Sequence, residues 1–231
     1  MKLNTLKSLL LLVPIVLNLP GTSEASLVDR GGGMVYDDVL NVTWLKDANY
    51  AKTSGYEYEG QPSWLKGTGE MNWGRATEWA ENLNYGGYND WRLPTVNPVN
   101  GIKMQHSSSN DGSTDIGINI SSTQSEMGYM FYQNLGNTGC NGSDLCLTNT
   151  GLFDNLELGS YWSSRKFSPS PRHRLAYIFN METGKQNPTI LANPGYAWAV
   201  RSGDVAFVPV PATAWLLATS LLGLVGLGRK R

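Results

Sequence analysis

Charge is scarce in this 231-residue chain. Only 16% of its residues are Asp, Glu, Lys or Arg, and it has two cysteines and two histidines. It has no excess of basic residues: 18 Lys and Arg stand against 19 Asp and Glu. Setting the two ends aside removes Lys2, Lys7, Arg229, Lys230 and Arg231 but only Glu24. The remaining 183 residues, 26–208, carry 13 basic and 18 acidic side chains, net −5. A nucleic-acid binder needs a basic surface to displace counterions from phosphates, so that class is excluded. There is no Gly-x-Ser-x-Gly elbow for a hydrolase nucleophile. His106 sits in a Ser-rich stretch and His173 lies between Arg172 and Arg174, so neither is placed as a base. No pair of carboxylates is singled out by spacing as a glycosidase acid and nucleophile. No fixed-period repeat is present. What the chain has in quantity is 26 Gly, 8 Trp and 11 Tyr. That composition describes a loop-rich domain with an aromatic core, neither disordered nor coiled-coil.

Both ends carry addressing patterns. Lys2 and Lys7 precede a short apolar run, Leu9 to Leu17, and Ser23-Glu24-Ala25 puts small residues at −3 and −1. This is the three-part pattern of a secretory signal peptide over 1–25, with cleavage expected between Ala25 and Ser26. At the other end, Val208-Pro209-Val210-Pro211-Ala212 leads into an uncharged apolar stretch, 212–228, and then Arg229-Lys230-Arg231. The apolar stretch is at the short edge of bilayer-spanning length, ~17–25 residues. The terminal cations would stay on the cytoplasmic side, with Trp215 near the opposite interface.

The interior reads as mixed α and β. Met34-Val35-Tyr36 and Val42-Thr43-Trp44-Leu45 flank turn formers Asp37, Asp38 and Asn41, the pattern of a β-hairpin. Residues 50–69 read as a loop. Asn72 is placed to cap a helix over 73–83, with Trp73, Ala76, Ala80 and Leu83 on one face and Gly86-Gly87 behind it. Thr123 and Glu126 form a capping-box pair opening a second helix, 124–135, with Met127, Met130, Phe131 and Leu135 as a core stripe. Short strands follow near 161–164, 174–180 and 197–201. Helices followed by a run of strands predict an α+β domain with Trp44, Trp91, Trp162 and Trp198 buried. Cys140 and Cys146 lie six residues apart. In an exported chain such a pair reads as a disulfide, because a redox pair would be spaced C-x-x-C and zinc would need further nearby ligands.

Two resemblances sharpen this. Val208-Pro209-Val210-Pro211-Ala212, the apolar helix and the basic terminus together resemble a PEP-CTERM sorting signal of the Val-Pro-Leu-Pro-Ala type, with Val210 in place of Leu. The resemblance implies an exosortase-type processing enzyme as partner. It also implies transient inner-membrane anchoring and delivery to the surface or matrix of a Gram-negative bacterium that makes exopolysaccharide. In the middle, Asn89-Asp90-Trp91-Arg92-Leu93-Pro94-Thr95, Tyr161-Trp162-Ser163-Ser164 and Ala197-Trp198-Ala199-Val200-Arg201 resemble the Lcl C-terminal-domain family across most of 31–204. The Arg-Leu-Pro-Thr word is shared with formylglycine-generating-enzyme-like domains. It implies a C-type-lectin-like fold: two helices packed on a twisted antiparallel sheet. The reactive cysteines of those enzymes have no counterpart here.

The expected organisation is a signal peptide at 1–25, a lectin-like domain at 26–207, and a sorting signal with a transmembrane helix at 208–231. The expected function is non-enzymatic binding of polysaccharide or a neighbouring surface protein, with an envelope glycan-processing enzyme as the alternative. Candidate ligand contacts are Tyr56, Tyr58 and Trp64, aromatic residues in a Gly/Ser-rich loop that could stack on sugar rings, and Arg172 and Arg174 of a basic cluster. No catalytic residue and no resident cofactor are assigned. Asp111 and Asp115, in an Asn-Asp-Gly-Ser-Thr-Asp turn, are the one candidate calcium pair, although the chain lacks an EF-hand loop and the lectin words Glu-Pro-Asn and Gln-Pro-Asp.

Overall fold

The computed structural model describes residues 27–140, 145–167 and 174–205. The signal peptide, the Ala25/Ser26 junction, Arg172, His173 and the whole sorting tail lie outside the described residues. Among the described residues no helix is long and apolar enough to cross a membrane.

The domain is α+β, with two sheets where one was expected. The first sheet is antiparallel and runs β1 (Leu27–Gly31), β2 (Met34–Asp37), β3 (Val42–Leu45), β9 (Val200–Ser202). The expected hairpin is β2–β3, with Val35 opposite Trp44. Its turn forms because the Asp37 carboxylate accepts the Val39 and Leu40 amides, while Asn41 takes a left-handed conformation at φ 52°. Strand β1 had no clear signal, since only Leu27 and Val28 are apolar and its residues are mostly half-buried.

The second sheet has the order β4 (Ser108–Ser109), β5 (Ile116–Gly117), β8 (Lys185–Ile190), β7 (Leu175–Asn180), β6 (Ser160–Lys166). Strands β6, β7 and β8 form an antiparallel meander, and β4–β5 is a short parallel pair. Of the late strands, only β9 joins the hairpin. The reason lies in the core. Trp44 of β3 packs on Trp198 at 4.6 Å between ring centres, and the Trp198 indole N–H donates to the Leu45 carbonyl at 2.8 Å. That contact draws the 197–202 segment out of the meander and onto β3.

All four expected core tryptophans are buried, each at 2% exposure or less. Three of them also find hydrogen-bond acceptors. Trp162 donates to Met71 O (2.9 Å) and Trp91 to Tyr88 O (3.1 Å), in addition to the Trp198 bond. Of these four, Trp44 alone has its Nε1 buried without a partner among the described residues.

The helices are shorter than expected. Helix α1 (Tyr50–Thr53) interrupts the predicted loop. Helix α2 (Trp73–Glu81) starts as predicted, with the Asn72 side chain accepting the Arg75 amide at 3.0 Å. It stops at Asn82 rather than running to Leu83. Helix α3 (Glu126–Tyr129) is capped by Ser125, not Thr123, and continues into one π-helical turn over Met130–Asn134. The capping-box reading fails because the Glu126 carboxylate has another use. It makes a two-pronged pair with Arg92 (2.8 and 2.8 Å) and accepts the Thr95 amide at 2.7 Å. The Arg-Leu-Pro-Thr word is therefore a structural clamp: Arg92 also bridges to Val200, tying α3 to the first sheet.

The cysteines are joined, with Cα atoms 6.1 Å apart. Their amides donate to the Thr183 and Glu182 carbonyls, pinning this loop to the β7–β8 turn.

Candidate functional site

The loop after α1 carries three aromatic rings, Tyr56, Tyr58 and Trp64. Gly55 turns the chain at φ 69°, a conformation side chains resist, and the Tyr56 amide closes back on Ala51 O at 2.9 Å. Gln61 braces the loop from inside: its Oε1 accepts the Tyr58 amide and its Nε2 donates to Leu65 O. A Lys66–Glu57 ion pair at 3.3 Å crosses the outside. The turn Ser63–Leu65 buries Leu65 and leaves its neighbour Trp64 67% exposed. The Trp64 indole faces water and adds little to the core.

Tyr56 and Tyr58 are half-buried, with ring centres 6.3 Å apart. The Arg75 guanidinium lies 5.1 Å over the Tyr58 ring and pairs with Glu78 at 2.8 Å. Beside Tyr56 a pocket of about 420 Å³ opens between α1 and the end of α2, lined by Tyr50, Tyr56, Glu78, Trp79, Asn82 and Asn84. Burial, followed by the nearby Glu78 carboxylate, pushes the Tyr56 phenol above its usual range. Trp64 lies outside this pocket, on the same loop.

Arg174 is placed elsewhere. It lines a second groove of about 410 Å³ with Asn72, Trp73, Ile190 and Leu191. The Trp73 ring is fixed by its indole N–H on Ser163 O (2.8 Å) and covered by the Lys166 ammonium at 4.7 Å. The five ligand candidates are thus not one site. Tyr56, Tyr58 and Trp64 share one loop, Arg174 belongs to the basic groove, and Arg172 lies outside the described residues. Trp73 and Tyr50 were missed as surface residues. Trp73 falls on the apolar stripe of α2, which reads as core, and Tyr50 lies in a stretch with no helical signal.

The Asp111/Asp115 pair divides as well. Asp115 is buried, and its two oxygens accept the Val99 and Gln105 amides. It braces the 99–105 loop. Asp111 is exposed and holds a local turn through Ser113. Among the described residues no three His, Cys, Asp or Glu side chains converge as a metal site.

The matching family is the Lcl C-terminal domain, over residues 33–201. The chain belongs to the Lcl C-terminal domain family. The match runs from the first sheet's β1–β2 turn to β9, so it contains both pockets, the clamp and the disulfide. Membership accords with an exported or cell-surface protein. No curated protein and no solved structure matches the chain.

Proposed function

We propose that this member of the Lcl C-terminal domain family is a non-enzymatic surface or matrix protein whose lectin-like domain binds polysaccharide through the Tyr56–Trp64 face. The observation that carries this is Trp64, two-thirds exposed on a braced loop beside an aromatic pocket. Flat apolar rings with amide and hydroxyl groups beside them suit a sugar, which has apolar ring faces and a polar rim. In this reading the signal peptide exports the chain, and the 212–228 helix holds it at the inner membrane. An exosortase-type enzyme then cuts near 208–212. A glycan array probed with the purified protein, with and without calcium, tests the binding. Retention of a fluorescently tagged chain before and after replacing Arg229, Lys230 and Arg231 with Ser tests the sorting.

A glycan-processing enzyme is the alternative reading, and one feature favours it. Burial, and then the neighbouring Glu157 carboxylate, pushes the Glu70 carboxyl above the usual range, as a general acid requires. Release of reducing sugar from an envelope glycan by the wild type, and its loss in Glu70→Gln, would establish that reading.

A further inference from the structure

The Tyr56 pocket has a sign. Glu78 is the one charged side chain among its lining residues. The cations on the elements that build this side are already committed. Arg75 pairs with Glu78 at 2.8 Å, Lys66 with Glu57 at 3.3 Å, and Lys52 with Glu157 at 3.3 Å. Glu59 and Glu81, on the same loop and helix, make no ion pair among the described residues. The pocket also sits at the C-terminal end of α2, where Asn82 is the cap, and that end of a helix carries partial negative charge. On the Tyr56 phenol burial is the main upward push, Glu78 adds to it and Arg75 opposes it. The other polar lining residues are uncharged, Tyr50, Ser54, Tyr56, Asn82 and Asn84, and Trp79 and Leu83 complete the wall.

We infer that the Tyr56 pocket takes an uncharged or amine-bearing sugar residue and rejects a uronic acid. This rests on the polysaccharide-binding reading and narrows it to a ligand class. A carboxylate entering the pocket would meet Glu78, whose charge Arg75 offsets at 2.8 Å, with Glu81 further along α2 and no second cation among the lining residues, so the balance of charge selects against that ligand. A hydroxyl or an ammonium group would find acceptors. The groove at Trp73 and Arg174 lies at the other end of α2, about six residues or ~9 Å along the axis and within the span of an oligosaccharide, so the titrations are run in an Arg174→Ala background.

The test is calorimetric titration of the full-length Arg174→Ala protein in mild detergent with three hexasaccharides: cellohexaose (neutral), chitosan hexamer (amine-bearing) and hexagalacturonic acid (carboxylate-bearing). The neutral and amine-bearing probes should bind, with the uronate at least ~10-fold weaker at low salt and less so at high salt, as screening of charge requires. Glu78→Gln, a surface change, should bring the uronate to within ~3-fold of cellohexaose. Tyr56→Ala, with its fold checked by near-ultraviolet dichroism, should weaken cellohexaose and chitosan. Uronate binding as tight as cellohexaose, or an unmoved uronate gap in Glu78→Gln, overturns the inference and leaves the polysaccharide reading intact. Absence of binding to all three probes and to the array overturns both.

Discussion

Removing the Glu126 carboxylate should be among the most damaging single changes on this fold. Its side chain is 9% exposed, and it holds three donors at once: two guanidinium nitrogens of Arg92 at 2.8 Å and the Thr95 amide at 2.7 Å. In Glu126→Ala these donors lose their acceptor together. Breaking a buried pair by deleting one partner costs ~3–5 kcal/mol. The Arg92 side chain is 28% exposed, so water can reach part of the orphaned charge and the lower end applies, ~3 kcal/mol. Glu126→Gln keeps one acceptor and should cost less, ~1–2 kcal/mol. The exposed Arg75–Glu78 pair is the internal control: Arg75→Ala should stay within ~0.5 kcal/mol. Urea unfolding followed by tryptophan fluorescence reads all three as midpoint shifts at constant slope. A double-mutant cycle with Arg92→Ala should return a coupling of ~1.5–3 kcal/mol. A cost below ~1 kcal/mol for Glu126→Ala, or a coupling near zero, would mean that the Arg-Leu-Pro-Thr word does not clamp α3 to the first sheet.

Trp162→Ala empties a fully buried site and removes one of the two donors to the Met71 carbonyl, which keeps the Gly195 amide, so it should cost ~3–5 kcal/mol, read by the same unfolding curves. Replacing both Cys140 and Cys146 by Ser should cost only ~2 kcal/mol, because the closed loop is short, and thiol titration of the denatured, unreduced wild type should find no free thiol. Burial raises the Asp37 carboxyl, outweighing its hydrogen bonds from Leu40, Asn134 and Val39. A carboxyl raised on folding contributes stability below its unfolded value, ~3.9, and loses that contribution as pH rises through the folded value. Asp37→Asn should remove that decline, so urea midpoints from pH 3.5 to 7 should converge differently for the two proteins. Parallel curves would contradict the assignment.

The parts of this fold that were legible in the sequence are those set by local chemistry. The turn around Asp37 and Asn41 and the Asn72 cap follow from residues close together in the chain, and the burial of the four tryptophans follows from their own apolar bulk. What was not legible depends on distant partners. Glu126 reads as a capping-box residue until Arg92, 34 positions away, is seen to claim its carboxylate. The hairpin and the strands after 160 read as one antiparallel sheet, whereas only 200–202, anchored by Trp198 on Trp44, stays with the hairpin and 160–190 forms a second sheet. The site divides the same way. Glycine and serine around Tyr56 and Trp64 suggested exposed aromatic rings, but Trp64 alone is exposed while Tyr56 and Tyr58 are half-buried, and nothing local showed that Arg174 would join Trp73 in a separate groove. Asp115 looked like a cation ligand because its turn is rich in oxygen, yet its carboxylate is spent on two backbone amides.

The central claim is that the Tyr56–Trp64 face binds sugar, and Trp64→Ala tests it most directly. Trp64 is exposed, so its removal should leave the unfolding midpoint within ~0.5 kcal/mol of wild type. Stacking on an exposed ring contributes ~0.5–1.5 kcal/mol, so affinity for cellohexaose or chitosan hexamer should fall about three- to ten-fold. Wild-type tryptophan fluorescence should shift on titration with either probe, and the shift should shrink in the variant. Unchanged affinity and an unchanged spectral response in Trp64→Ala would contradict the claim.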